Sequence, residues 1–257
     1  MKNLTAYILF LSLLTVHSVQ ANEFPGRAKF PEQEVIEIDE LYKDRENLII
    51  IDTRTDFEYN TIHIKNSVQV NFESEDYIAR LKAIRKTDRK KMVFYCNGLT
   101  CTKAFRAHDA AAKAGIRNTA TFDAGVFTWA KTYPDEAVLL GKSPVDPNQL
   151  LSRESLMRHQ LDANRFSEKV GNDSLVLDVR DESQREATRL YPFHQRNFTL
   201  DDPNLPISIK KAAAEGKTVL IYDYTGQQVR WLQYLIESLG VKDYYFLKGG
   251  FRGFLNL

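Results

Sequence analysis

The chain has 257 residues, enough for one large domain or for two of about 100–120 residues each. Its 35 lysines and arginines stand against 34 aspartates and glutamates, a formal net charge of +1, and no basic run breaks that balance. A general binder of nucleic acid or other polyanions is thereby excluded, and the 43% hydrophobic and 27% charged fractions are those of an ordinary soluble globular protein.

The first residues depart from that composition. Lys2 gives a short positive end, and Leu4 to Val16 form an apolar run interrupted by Thr5, Ser12 and Thr15. Ser18-Val19-Gln20-Ala21 then places small residues at the last and third-last positions before a cut, ahead of polar Asn22 and Glu23. This is the three-part pattern of a secretory signal peptide over residues 1–21, and it predicts a periplasmic or secreted protein with no membrane contact after cleavage. The alternative is an uncleaved anchor, but the run falls short of the roughly 20 apolar residues that a spanning helix needs. No cysteine adjoins the cut, so a lipoprotein anchor is excluded.

Further along, Leu48-Ile49-Ile50-Ile51-Asp52-Thr53-Arg54 is a continuous apolar run closing in a polar pair, as expected of a buried parallel strand meeting its loop. Val93-Phe94-Tyr95-Cys96 reads as a second such strand. The alanine-rich stretch from Ala104 to Ala114 favours a helix, with Gly115 as its C-cap. Pro134 to Pro147 holds three prolines and Gly141, a linker composition. Ser152 before Arg153-Glu154-Ser155-Leu156 reads as an N-cap opening a helix.

The chain then repeats itself. Leu175-Val176-Leu177-Asp178-Val179-Arg180 matches the first strand at a displacement of 126, and Leu220-Ile221-Tyr222-Asp223 matches the second at 127. Ala114-Gly115 matches Leu239-Gly240, and Ala124-Gly125-Val126 matches Gly249-Gly250-Phe251, both at 125. So constant a displacement indicates a duplicated domain. Residues 31–137 are predicted as the first copy, 138–147 as the linker and 148–257 as the second copy. Strands alternating with helices imply an α/β fold in each, a mainly parallel sheet flanked by helices on both faces.

The only two cysteines are Cys96 and Cys101, too close in sequence to staple a fold, and they point to chemistry. Cys96-Asn97-Gly98-Leu99-Thr100-Cys101-Thr102 joins a strand to a helix beginning near Lys103. Such a loop can turn backbone N–H groups inward and aim a helix N-terminus at its centre, which favours a thiolate and an anionic substrate. Lys103 adds positive charge and Gly98 permits a tight backbone. Two readings of Cys101 stand, a small apolar filler or a resolving thiol that forms a disulfide with Cys96. A lone C-x4-C without a nearby histidine is no closed zinc pattern, so no metal site is predicted.

These landmarks resemble the rhodanese superfamily. The resemblance is carried by Asp52-Thr53-Arg54, Glu58, Ile62-His63-Ile64, Tyr95-Cys96 with its loop, and Asp123-Ala124-Gly125 through Trp129, and it extends over both copies. It implies two tandem rhodanese-like domains, with Cys96 as the residue that takes a sulfane sulfur as a persulfide. The implied partners are a small sulfur-containing anion such as thiosulfate and a thiol or cyanide acceptor; no cofactor is implied. Asp52, Arg54, Asp178 and Arg180 are read as structural, fixing neighbouring loops, as is His63, while Trp129 and Trp231 are read as core.

Two departures qualify the resemblance. Cys96 precedes Gly115 by 19 residues where Asp223 precedes Gly240 by 17, so the first loop is about two residues longer. Rhodanese-related phosphatases also have enlarged loops, but they place an arginine where Thr102 stands, which disfavours phosphatase chemistry. In the second copy Asp223 occupies the nucleophile position, and a carboxylate forms no persulfide. That copy is predicted to be catalytically silent, either covering the first loop or only stabilising its partner. The expected activity is an exported sulfurtransferase; the alternatives are a thiol–disulfide redox protein using Cys96 and Cys101, and a non-catalytic sulfur carrier or partner-binding module.

Overall fold

In the computed structural model, residues 24–185 and 188–255 are described, so the predicted signal peptide at 1–21 lies outside the described residues. The chain divides into two units between Pro147 and Asn148. Among the described residues no helix is long and apolar enough to cross a membrane.

The first unit runs α1 (Pro25–Lys29), α2 (Ile38–Asp44), β1 (Leu48–Asp52), α3 (Asp56–Thr61), β2 (Ile62–Ile64), β3 (Val68–Gln69), α4 (Tyr77–Thr87), β4 (Lys91–Tyr95), α5 (Lys103–Lys113), β5 (Thr119–Phe122), α6 (Gly125–Thr132) and β6 (Ala137–Leu139). Four parallel strands lie in the order β3-β1-β4-β5, and β2 pairs antiparallel with β6. Because β1 and β4 are covered on both faces, their sequences are unbroken apolar runs. The two faces follow the period of two. Ile49, Ile51, Met92 and Phe94 pack against Tyr77 and Leu81 of α4 and the alanines of α5. On the other parity, Phe122 meets Trp129 of α6 edge to face. Helix α5 closes as the glycine predicts, with Gly115 in the left-handed region at φ +81°.

Both predicted edges of this unit move outward. Residues 24–30 belong to it: Phe30 stacks on Phe105 at 5.6 Å, and Gly26 lies so close to that ring that a Cβ would fall 2.2 Å from it. Val35 adds a parallel bridge on the outer edge of β5. Residues 138–147, expected as a linker, are built into the unit as well. Val138 and Leu139 lie in β6 and pair with His63 and Ile62, and the Val145 N–H donates to the Pro134 carbonyl at 3.0 Å. Gly141 here serves a tight turn, with Leu140 and Gly141 both at positive φ, and not a free connection.

The second unit runs α7 (Arg153–Arg158), β7 (Gln160–Leu161), α8 (Ala163–Glu168), β8 (Ser174–Asp178), α9 (Glu182–Arg185), β9 (Gln195–Asn197), α10 (Asn204–Ala214), β10 (Thr218–Tyr222), α11 (Val229–Ser238), β11 (Tyr244–Leu247) and α12 (Gly250–Leu255). Ser152 caps α7, its hydroxyl accepting from the Ser155 N–H at 3.1 Å. The sheet is fully parallel, in the order β7-β11-β10-β8-β9. Placing the Val35 bridge where β7 stands gives the first unit the same order. The register agrees too, since Asp52 lies opposite Tyr95 and Asp178 opposite Tyr222. The duplication is thus carried into strand order and register.

Candidate active site

Cys96 follows the last residue of β4, and its side chain continues the parity of Met92 and Phe94. It therefore faces the α4–α5 side and is 1% exposed, with Ala104 and Ala107 of α5 in the same cluster. Six residues, Asn97 to Thr102, carry the chain to the N-terminus of α5. Within them the Cys101 N–H donates to the Gly98 carbonyl at 2.8 Å, closing a turn that folds Cys101 back over Cys96. The two cysteines are joined as a disulfide, with Cα atoms 6.6 Å apart. Of the two readings of Cys101, the structure presents the paired one. The thiolate expected at the loop mouth is accordingly held in oxidised form, with Cys96 inside and Cys101 only half-buried.

The loop is held from behind. Asp52 and Arg54, both buried, form an ion pair in which the guanidinium donates to both carboxylate oxygens. Burial works against the Arg54 charge, but Asp52 outweighs it and keeps the guanidinium above its ordinary pKa. From there Arg54 Nη1 donates to Asn97 Oδ1 at 3.3 Å, and Asn97 Nδ2 donates to Glu58 Oε1 at 3.2 Å. Glu58 is itself fixed, because it completes the capping box of α3 with Thr55. The hydroxyl of Thr53 reaches the Tyr95 carbonyl at 2.8 Å and ties β1 to the end of β4. The polar pair read as structural thus anchors the second residue of the reactive loop.

Gly125 holds the other side. Its φ is +71°, and a Cβ there would lie 2.3 Å from Gly98 N and 2.6 Å from Asn97 C, so only glycine lets the start of α6 touch the loop backbone. The next residue, Val126, donates its N–H to the Cys96 carbonyl at 3.1 Å. Of the remaining predicted residues, Gly98, Leu99 and Thr102 are half-buried and Thr100 is exposed. Lys103 opens α5, but its ammonium pairs with Glu73 at 3.3 Å, so part of its charge is spent outside the loop. His63 sits half-buried on Tyr59, its Nδ1–H donating to that residue's carbonyl oxygen at 2.8 Å, and burial lowers its pKa. Trp129 is fully buried, its indole N–H donating to the Glu136 carbonyl.

The corresponding loop of the second unit shows what this architecture does with an anion. Asp223 follows β10 and is 1% exposed. Its Oδ2 accepts from the N–H groups of Gln228 at 2.6 Å and Val229 at 3.3 Å, and its Oδ1 accepts from Gly226. Three loop amides at the N-terminus of α11 converge on one carboxylate. Burial raises its pKa, and those three bonds oppose the rise. The Asp178–Arg180 pair repeats the first unit's, yet Arg180 turns its remaining N–H groups to the carbonyls of Gln184 and Thr188 and donates none of them to the loop. The excess length of the first copy is divided, one residue in the loop and one in α5, which has 11 residues against 10 in α11.

Two contacts at the site join residues whose pairing the sequence does not mark. The Asn97–Glu58 bond was foreshadowed only by the Thr55-x-x-Glu58 capping signature. Arg27 had no signal at all; it donates through Nε and Nη2 to both oxygens of buried Asp123, at 2.7 and 3.0 Å, just before Gly125. Two surface clefts, of about 460 and 190 Å³, are lined by neither the Cys96 loop nor Asp223. Among the described residues no group of three or more His, Cys, Asp and Glu side chains is placed to hold a metal ion.

Comparison with known proteins matches the rhodanese-like domain to residues 36–132 and again to 160–257. Over 64 residues the chain is 31% identical to the tRNA uridine(34) hydroxylase of Cytophaga hutchinsonii, which is 24% of this chain and 20% of that protein. The chain therefore spans about a fifth of the curated relative it matches. Among solved structures it is similar to the thiosulfate sulfurtransferase of Pseudomonas aeruginosa, with 17% identity, a TM-score of 0.38, and coverage of 90% of this chain and 45% of that one. It is also similar to a rhodanese-related protein of Thermoplasma volcanium, with 20% identity, a TM-score of 0.31, and coverage of 39% and 93%.

Proposed function

The chain belongs to the rhodanese-like domain family, and on that premise we propose that it is an exported sulfurtransferase working through Cys96, with a silent second domain. A reductant first opens the Cys96–Cys101 bond. The Cys96 thiolate then attacks the outer sulfur of thiosulfate; the sulfur–sulfur bond breaks and sulfite leaves with its electron pair. A thiophilic acceptor such as cyanide or a thiol takes the terminal sulfur, and Cys96 returns as thiolate. The signal-peptide pattern at residues 1–21 supports export to the periplasm or beyond.

One observation carries this reading. In the second unit the same strand–loop–helix turns three amide N–H groups onto a carboxylate at the position equivalent to Cys96. A loop of that design lowers the pKa of a thiol placed there and stabilises an incoming oxyanion. The second unit is silent for the same reason, because Asp223 fills its own cradle and offers no sulfur.

Intact mass after reduction, removal of the reductant and incubation with thiosulfate tests the reading. Cys101→Ser, which cannot close the disulfide again, gains one sulfur and yields it to cyanide as thiocyanate, whereas Cys96→Ser does neither. A Cys101→Ser protein that neither gains sulfur nor forms thiocyanate overturns it.

A further inference from the structure

Resting on the Cys96 persulfide reading, we propose that Cys101 is a built-in resolving thiol for that persulfide, so that the reduced protein converts thiosulfate to sulfite and free hydrosulfide without any external thiol. The two sulfurs already stand at bonding position across one loop turn. The turn that brings them there is fixed by the Cys101 N–H on the Gly98 carbonyl, and its N-terminal end by the Asn97 anchors and by Val126 on the Cys96 carbonyl. The carbonyl oxygen of Cys101 also lies 3.3 Å from Cys96 Sγ, so the backbone of Cys101, and not only its side chain, packs on the reactive sulfur. A resolving thiol needs that proximity without a large loop movement.

The step balances as follows. Once Cys96 carries a persulfide, the Cys101 thiolate attacks Cys96 Sγ, the inner sulfur. The bond from Cys96 to the outer sulfur breaks, the outer sulfur leaves as hydrosulfide with the bonding pair, and the Cys96–Cys101 disulfide forms. Across both steps, two thiols and one thiosulfate give one disulfide, one sulfite, one hydrosulfide and one proton. The protein dithiol is oxidised and the sulfane sulfur is reduced.

The burial of the pair sets how the cycle restarts. Cys96 is closed to solvent and Cys101 is half-buried, so an external dithiol reductant reaches Cys101 first. Exchange through Cys101 expels Cys96 as the leaving thiolate, next to the N-terminus of α5, where a negative sulfur is favoured. The reductant is thereby directed to the sulfur that does not hold the substrate.

The test is a single turnover with full-length, pre-reduced protein freed of reductant under anaerobic conditions and given thiosulfate. Wild type releases one equivalent of hydrosulfide per chain, loses both free thiols and gains no mass. Cys101→Ser, with Cys101→Ala in parallel, keeps one added sulfur and releases hydrosulfide only when dithiothreitol is supplied; Cys96→Ser does neither. The proposal is overturned if wild type holds a stable persulfide with Cys101 still free, or if the Cys101 variants release hydrosulfide as fast as wild type without added thiol; the persulfide reading survives both results. If no protein gains or releases sulfur, the persulfide reading fails and the proposal falls with it.

Discussion

Replacing Gly125 with alanine separates the fold of the first domain from the placement of its reactive loop. The residue sits at φ +71°, where an L side chain costs about 1–2 kcal/mol. The new Cβ falls 2.3 Å from Gly98 N, 2.4 Å from Gly98 Cα and 2.6 Å from Asn97 C, all backbone atoms. Restoring contact distances of ~3.5 Å requires the Asn97–Gly98 peptide to retreat by roughly 1 Å, and such overpacking costs about 1–3 kcal/mol. The expected destabilisation is therefore about 2–5 kcal/mol. The same retreat breaks the Asn97 bonds to Arg54 and Glu58, which at 3.3 and 3.2 Å have little length to give. A misplacement of about 1 Å at a reacting group slows reaction by about 100-fold. Gly115→Ala is the control, because Gly115 is also left-handed at φ +81° but a Cβ there meets nothing within 4 Å. It should cost about 1–2 kcal/mol and leave the rate alone. Urea unfolding gives the stabilities, and the rate of sulfur addition to reduced protein gives the placement. If Gly125→Ala matches Gly115→Ala in both, the account of how the loop is held is wrong.

Asp223→Ala should leave three amides of the second loop without their acceptor; sulfate should then raise the melting temperature of the variant well beyond an equal ionic strength of sodium chloride, and should not do so for wild type. Arg27→Ala strips both bonds from the buried Asp123 carboxylate, and with Arg27 partly exposed the loss should be about 1–3 kcal/mol by denaturant titration; no loss would mean that the N-terminal segment is not part of the folded unit. His108 is buried between the hydroxyls of Thr121 and Thr119, and burial holds its pKa below the ordinary value. Its contribution is therefore complete above about pH 6.5 and drains away as the pH falls through the folded pKa. Melting temperature should fall on acidification through that window, and less steeply in His108→Gln, His63 supplying the rest. Equal slopes in wild type and variant would assign the loss elsewhere.

What could be read from the sequence was whatever is local or repeated. The run Leu48 to Arg54 announces a doubly covered strand by its unbroken apolar character, and its return at Leu175 to Arg180 announces the duplication. Cys96 is legible for the same reason, since it sits where a strand ends and a helix soon begins. Pairings across long stretches of chain were not legible. Arg27 reaches Asp123 over 96 residues with nothing in either neighbourhood to mark it. The prolines and glycine of 134–147 read as a linker because composition reports turns and cannot report that Leu139 finds Ile62. The spacing of Cys96 and Cys101 permits a disulfide without requiring one; the Gly98–Cys101 turn decides it.

The two loops meet one physical demand in opposite ways, and the difference accounts for why one copy can be reactive. A strand-to-helix loop leaves backbone donors that need acceptors. In the second domain Asp223 supplies the acceptor from within, so the loop organises itself and Arg180 is released to serve the segment from Gln184 to Thr188. In the first domain the disulfide sulfur of Cys96 cannot play that part, since it accepts weakly. Among the described residues, only Cys101 in this loop finds a backbone acceptor inside it. Order is imposed from outside instead, through Arg54, Glu58 and Gly125, and from inside by the Gly98–Cys101 turn and the disulfide. Opening the disulfide removes one internal tie and none of the external ones. The ties to Asn97 and Gly98 remain, and the loop amides that lack an internal acceptor are left to water or to an anion from solution.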